Sequence, residues 1–290
     1  MHFVKAKGIL NGRSGFLGMN VYRGCAHGCI YCDSRSACYR FSHAFEDIEV
    51  KENAPQLLER ELAGRKKKCM IGTGSMSDPY LPCETDLRLT RRCLQVIRNH
   101  GFGATVLTKS DRILEDLDLL EEIHRKTRCV VQITLTASDD RLAKKTEPGV
   151  CPTSRRIEVL RIMKDRGIPT VVWMTPILPF ITDTSENIEA LLQACAETGV
   201  KGIMCFNMGM TLREGCREYY YAALDRLFPG MKENYIRTYG NSYELISPDN
   251  EALMAFFHRF CQANDILHTP QEVFRFLGEF PQPYEQLSLF

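Results

Sequence analysis

From about residue 68 onward, short apolar runs alternate with amphipathic stretches of helical period, and this alternation restricts the fold more than any other feature of the chain. Residues 68–72, 104–108, 129–136, 169–178 and 202–207 read as strands. Residues 89–100, 113–126, 154–166, 184–198 and 213–228 read as helices, and Leu89, Cys93, Val96 and Ile97 form one such apolar stripe. A strand over 17–22 and a helix over 54–63 complete six β/α units. Strands and helices in alternation require a parallel sheet with right-handed crossovers. The run Thr170, Val171, Val172, Trp173, Met174 suits a strand covered on both faces. Six units are too few for a closed eight-fold barrel, so the pattern predicts a partial (β/α)6 TIM-like barrel. The alternative, an open doubly wound sheet, lacks a G-x-G-x-x-G at the first βα turn. In either case the active site belongs at the C-terminal ends of the strands. Helical stretches over 249–263 and 271–277 predict a C-terminal helical extension, giving a barrel domain over 1–240 and an extension over 241–290.

Composition narrows the function classes. Hydrophobic residues make up 44% and charged residues 25% of 290 positions, an ordinary globular mixture. Lys and Arg number 37 against 36 Asp and Glu, so the net charge of +1 excludes a uniformly basic nucleic-acid binder but not a local basic groove. The longest uncharged apolar-looking stretch, 167–182, is interrupted by Pro169, Pro176 and Pro179 and is too short to span a bilayer. Residues 1–5 show no apolar core of a secretory leader, so the expectation is a cytoplasmic protein with no membrane partner. Thirteen cysteines are too sparse for a disulfide scaffold. Cys93, Cys129, Cys195, Cys205 and Cys261 sit in apolar periodic segments as small hydrophobes. Three others do not.

Cys25, Cys29 and Cys32 follow the first strand at C-x3-C-x2-C spacing, with Gly24 and Gly28 permitting a tight loop. Three thiolates satisfy three irons of a [4Fe-4S] cluster and leave the fourth open, whereas an electron-transfer cluster takes four cysteines. An open iron can chelate an amino acid through its amine and carboxylate, which is the chemistry of S-adenosylmethionine (SAM). The alternative is structural zinc, with Cys38 or His27 as fourth ligand.

With Tyr31 before the third cysteine, this loop resembles that of the radical SAM superfamily. The segments 20–25, 78–84, 107–110, 145–148 and 175–179 are similar to landmarks of its spore photoproduct lyase-like branch, and the resemblance runs over about residues 15–240. It implies a cluster on Cys25, Cys29 and Cys32 and one-electron cleavage of SAM, by a flavodoxin- or ferredoxin-type reductant, to a 5′-deoxyadenosyl radical that abstracts hydrogen from a substrate. Gly72, Thr73, Gly74 and Ser75 occupy the position that receives the methionine amino group. Lys109 matches the lysine for its carboxylate, and Thr134 and Thr136 are placed for the ribose. As residues two apart on a strand, these threonines should share a face.

The expected rim residues Tyr80, Cys83 and Glu84 are the candidates for catalysis. The lyase's hydrogen-donor cysteine falls, by register, within 74–77, where this chain has Ser75 and no cysteine, so photoproduct repair by the same chemistry does not carry over. The last five residues, Gln286, Leu287, Ser288, Leu289 and Phe290, resemble the pentapeptide by which bacterial replication and repair proteins dock on the DNA sliding clamp, and they point to DNA. The expected function is therefore a radical SAM enzyme, lyase-like, with DNA repair as one substrate class. The alternatives are modification of a peptide or RNA, or a non-catalytic zinc or iron-sulfur module of a repair complex.

Overall fold

The computed structural model describes residues 1–13 and 15–281. The clamp-like tail at 286–290 lies outside the described residues.

The chain opens with β1 (His2–Val4), the hairpin β2 (Leu10–Arg13) and β3 (Phe16–Met19), and the short β4 (Tyr22–Arg23). After the cysteine loop come β5 (Glu49–Lys51) and α1 (Ala54–Ala63). The regular units follow: β6 (Met70–Thr73) with α2 (Glu84–Leu87) and α3 (Leu89–Asn99), and β7 (Gly103–Thr108) with α4 (Leu117–Lys126). Next are β8 (Cys129–Thr134) with α5 (Asp140–Thr146) and α6 (Thr153–Asp165), β9 (Thr170–Trp173) with α7 (Ser185–Thr198), and β10 (Gly202–Met204). β11 (Gly209–Thr211), α8 (Cys216–Leu227), α9 (Met231–Tyr239), β12 (Glu244–Ile246), α10 (Asn250–Ala263) and α11 (Pro270–Gly278) finish the fold.

The main sheet has the order β10-β9-β8-β7-β6-β3-β2. Every pairing from β3 to β10 is parallel, and β2 joins antiparallel at the edge. The six parallel strands are those of a partial barrel. The sequence did not reveal the hairpin partner β2, whose residues Leu10, Asn11, Gly12 and Arg13 have no apolar alternation. The strand expected over 169–178 stops at Trp173, because Pro176 and Pro179 have no N–H to give the ladder.

The outward residues Ile71, Val106, Val131, Ile133, Val172 and Ile203 are buried in the main core beneath the helices. Local signals set the helix ends: Thr184 caps α7 by accepting from the Asn187 N–H at 3.2 Å, and Gly199 at φ +66° terminates it.

Residues 241–281 are not a separate appendage. β12 pairs with β11, and Leu267 extends the β10 edge by accepting from the Ile203 N–H at 2.8 Å. α11 starts with a reciprocal Thr269–Glu272 cap and inserts Val273 and Leu277 among Met70, Val130, Val171 and Met204 at the base of the barrel. The boundary expected at 240 therefore cuts through a sheet and a core.

Candidate functional site

The cysteine loop forms one wall of a cavity of about 630 Å³ at the C-terminal ends of β6, β7, β8 and β9. Cys25, Cys29 and Cys32 all line it. Three anchors hold the loop: the Cys25 N–H donates to Phe45 O at 3.0 Å, the Ile30 N–H to Thr146 O at 2.9 Å, and Ser77 Oγ to Gly24 O at 2.5 Å. Gly24, at φ +85°, passes so close to Phe45 that a Cβ would stand 2.5 Å from its carbonyl oxygen.

His27 is buried and lines the cavity, with Nδ1 3.2 Å from Gly149 O and Nε2 facing Asp78 Oδ2 at 3.1 Å as a close contact without an aligned hydrogen bond. It anchors the loop. Cys38 is exposed, does not line the cavity, and takes a contact from Arg213 Nη1 at 3.7 Å. The three loop sulfurs are not all within 4.8 Å of one another. Three thiolates on one tetrahedral zinc stand about 3.8 Å apart, given Zn–S near 2.3 Å. The wider triad suits a cluster with one thiolate on each of three irons.

The charges around the triad are buried and paired. Burial pushes the Cys25 thiol up to about 12 and raises Cys29 well above its ordinary range, so thiolates here need cationic partners. Lys109, half-buried on the cavity wall, is one. Burial opposes its charge, but Cys29 and Glu147 outweigh that and raise its pKa. Glu147 and Arg156 are wholly buried and paired at 2.5 Å. Burial opposes the Glu147 charge as well, and Arg156 with Lys109 pulls its pKa below the ordinary value. Tyr31 Oη donates to the same carboxylate, and Arg156 Nη1 donates to Thr134 O at 2.8 Å. This chain ties the cysteine loop to the end of β8.

Asp78 performs a parallel task. It accepts from Thr108 Oγ1 at 2.7 Å, the Lys109 N–H at 2.8 Å and the Tyr80 N–H at 2.9 Å. Against the desolvation, His27 and these donors hold its carboxyl down to about 2.

Gly74 and Ser75 line the cavity. Gly74 has φ +102°, and a Cβ there would fall 1.9 Å from Leu107 O, so no other residue fits this crossing. Gly72 and Thr73 lie lower in β6 and do not line it; a Cβ at Gly72 would meet the Phe16 ring at 2.8 Å. Tyr31, Lys109 and Thr134 line the cavity, but Thr136 does not. β8 ends at Thr134, so the alternation rule stops there, and Thr136 Oγ1 points to Glu147 at 3.4 Å.

The three candidates for catalysis stand elsewhere. Tyr80 is buried and donates to Asp116 at 2.9 Å. Glu84 accepts the Thr90 N–H at 2.7 Å and the Tyr22 hydroxyl, and burial pushes its carboxyl up to about 7. Cys83 packs against the main core. None of them lines the cavity; they brace the start of α3.

The opposite wall holds residues that sequence reasoning missed: Trp173, Phe206, Asn207, Thr211 and Glu244. Phe206 is 51% exposed and meets Trp173 edge-on, with centroids 6.3 Å apart. Trp173 Nε1 donates to Gln132 Oε1 at 2.6 Å, and Gln132 Nε2 to Thr105 Oγ1 at 2.7 Å, which fixes the indole. The chain's one tryptophan at a strand's C-terminal end was the available signal.

Fold and site together define a parallel partial-barrel protein with a three-cysteine loop at its mouth. The family model of the radical SAM superfamily matches residues 19–195, and the chain belongs to that superfamily. The superfamily uses a [4Fe-4S] cluster and SAM. An uncharacterized protein of Mycobacterium tuberculosis is 27% identical over 234 residues, covering 76% of this chain and 66% of that one. An uncharacterized protein of Methanocaldococcus jannaschii is 32% identical over 167 residues, 57% and 61% of the two chains. The chain thus spans somewhat under two thirds of the length of these relatives. A spore photoproduct lyase variant solved with bound AdoMet and dinucleoside spore photoproduct superposes at TM-score 0.61 with 13% identity, over 87% of this chain and 75% of that one. Another variant of that lyase reaches 0.64 at 13% identity, over 92% and 80%. These likenesses establish the fold. Among the described residues, no helix is long and apolar enough to cross a membrane.

Proposed function

We propose that the chain is a radical SAM enzyme that abstracts a hydrogen atom from a nucleic-acid substrate, with Cys25, Cys29 and Cys32 as cluster ligands. The observation that carries the reading is convergence: the cysteine triad, the Gly74–Ser75 crossing, Lys109 and an aromatic wall all open on one cavity. When bound, the cluster and SAM supply a 5′-deoxyadenosyl radical on receipt of one electron from a flavodoxin- or ferredoxin-type donor. The protein supplies position. Lys109 holds the methionine carboxylate by a charge-assisted bond. The backbone at Gly74 and Ser75 takes the amino group, and Thr134 the ribose. Tyr31, through Glu147 and Arg156, keeps the cysteine loop in register with β8.

Three observations support a nucleic acid. Exposed Phe206 beside Trp173 offers a face on which a base can stack. The tail 286–290 matches a clamp-docking pentapeptide, which would bring the enzyme to DNA without a basic surface. The lyase with the same fold holds a dinucleoside. Among the described residues lining the cavity there is no cysteine besides the triad.

The test is 5′-deoxyadenosine release by anaerobic, reduced protein with SAM and either ultraviolet-damaged DNA, undamaged DNA, RNA or peptides. Stimulation by DNA is expected. Stimulation by RNA alone makes the nucleic acid RNA, and stimulation by peptide alone overturns the nucleic-acid assignment and leaves the enzyme class standing.

A further inference from the structure

We propose that His2, His43 and Glu49 form a second metal site, for a divalent first-row cation of the zinc type, on the small sheet that backs the cysteine loop. That sheet has the order β1-β5-β4, and His2 and Glu49 are direct register partners on parallel β1 and β5. Neighbours in register project from the same face. His43 arrives from the loop between Cys32 and β5. One ligand atom from each residue lies within 4.8 Å of the other two, and among the described residues no other His, Cys, Asp or Glu trio meets that condition.

The hydrogen bonds leave the ligand nitrogens free. His43 Nδ1 lies 2.9 Å from Ala44 O, a carbonyl that can only accept, so Nδ1 carries a proton and Nε2 is the ring's available ligand atom. His43 Nε2 is buried, has no hydrogen-bond partner, and stands 3.7 Å from Glu49 Oε2, too far for a hydrogen bond. A cation between them would satisfy both atoms. His2 Nδ1 is taken by Asp47 Oδ2 at 3.0 Å, which leaves its Nε2 and reproduces the carboxylate–histidine arrangement that backs metal-bound imidazoles. Arg23 Nη1 is 3.5 Å from the same Glu49 oxygen, a long ion pair that a bound cation would replace, while its Nη2 donates to Tyr39 O at 2.7 Å and the guanidinium stacks on Phe41. Two imidazoles and a carboxylate are a zinc-type donor set that leaves room for water.

The placement gives the site a task. Phe45, two residues from His43, supplies the carbonyl that accepts from Cys25 N–H, and the Phe41, His43 and Phe45 rings pack edge to face at 5.6 and 5.3 Å. A metal holding His43 to β1 and β5 would fix the segment against which the cysteine loop rests. The inference is independent of what occupies the cavity.

The experiment measures zinc by elemental analysis and by competition with a chromophoric chelator, on cluster-loaded protein. One zinc per chain is expected, bound at least tenfold more weakly by His43→Ala and by Glu49→Gln, and roughly 10–100-fold more weakly by Asp47→Asn, which removes no ligand. Cobalt in its place, read as the difference spectrum against cobalt-free cluster-loaded protein, should add d–d bands and no thiolate-to-cobalt charge transfer. Absence of zinc, equal affinity in wild type and all three variants, or added thiolate-to-cobalt charge transfer in that difference spectrum would each overturn the proposal.

Discussion

The same strands carry two different interiors. At the base of the barrel, Met70, Val130, Val171 and Met204 meet Val273 and Leu277 of α11 in a wholly apolar cluster. At the mouth, in the loops that follow β6 and β7, stand Asp78 and Lys109, with His27 reaching in from the cysteine loop and the Glu147–Arg156 pair buried behind them. The base gains from every apolar area it removes from water, on the order of 25 cal/mol per Å². The mouth is costly, because each charge there loses its hydration and is tolerated only when paired. Stability is concentrated where no ligand goes, and groups that a cofactor can use are concentrated where the strands end.

Substitutions at the two ends should therefore fail in different ways. The largest effect belongs to the triad: Cys25→Ala, Cys29→Ala or Cys32→Ala should each abolish iron-sulfur absorbance, while Cys38→Ala keeps it. Loss in Cys38→Ala would give the cluster four protein ligands and remove the open iron. Next, Arg156→Met strands the Glu147 carboxylate at zero exposure and should destabilise by about 3–5 kcal/mol in denaturant melts. Adding Glu147→Gln should recover part of that loss. At the base, Leu277→Ala should cost about 2–5 kcal/mol of stability and leave SAM affinity unchanged. A weakened SAM affinity there would join the two ends into one functional unit. The smallest effect is Lys109→Met, which should weaken SAM binding by about 1.5–3 kcal/mol in equilibrium dialysis with iron content intact.

The sequence exposed these regions unequally. The parallel strands were legible because burial on both faces leaves unbroken apolar runs, as at residues 170–174. Helix α1 was read to the residue, and Thr184 and Gly199 marked the limits of α7. The short sheets β1-β5-β4 and β11-β12 were not, since two or three residues carry no period. At the site, cysteine spacing identified the loop because the three cysteines lie close together in the chain. The Glu147–Arg156 pair joins a loop to a helix, and a charged residue at a helical position reads as solvated until the tertiary contact is known. Tyr80, Cys83 and Glu84 were placed on the rim by sequence proximity to β6. The chain instead folds them down against Asp116, Thr90 and Tyr22, where burial determines their role.

The central claim is that three thiolates at the barrel mouth leave an iron free to bind and cleave SAM. Anaerobically reconstituted, chemically reduced protein, incubated with SAM and assayed for iron and 5′-deoxyadenosine, tests it most directly. The account predicts a brown protein with about four irons per chain that releases 5′-deoxyadenosine. A colourless protein holding zinc on its cysteines, or a full cluster that never yields 5′-deoxyadenosine, would contradict it.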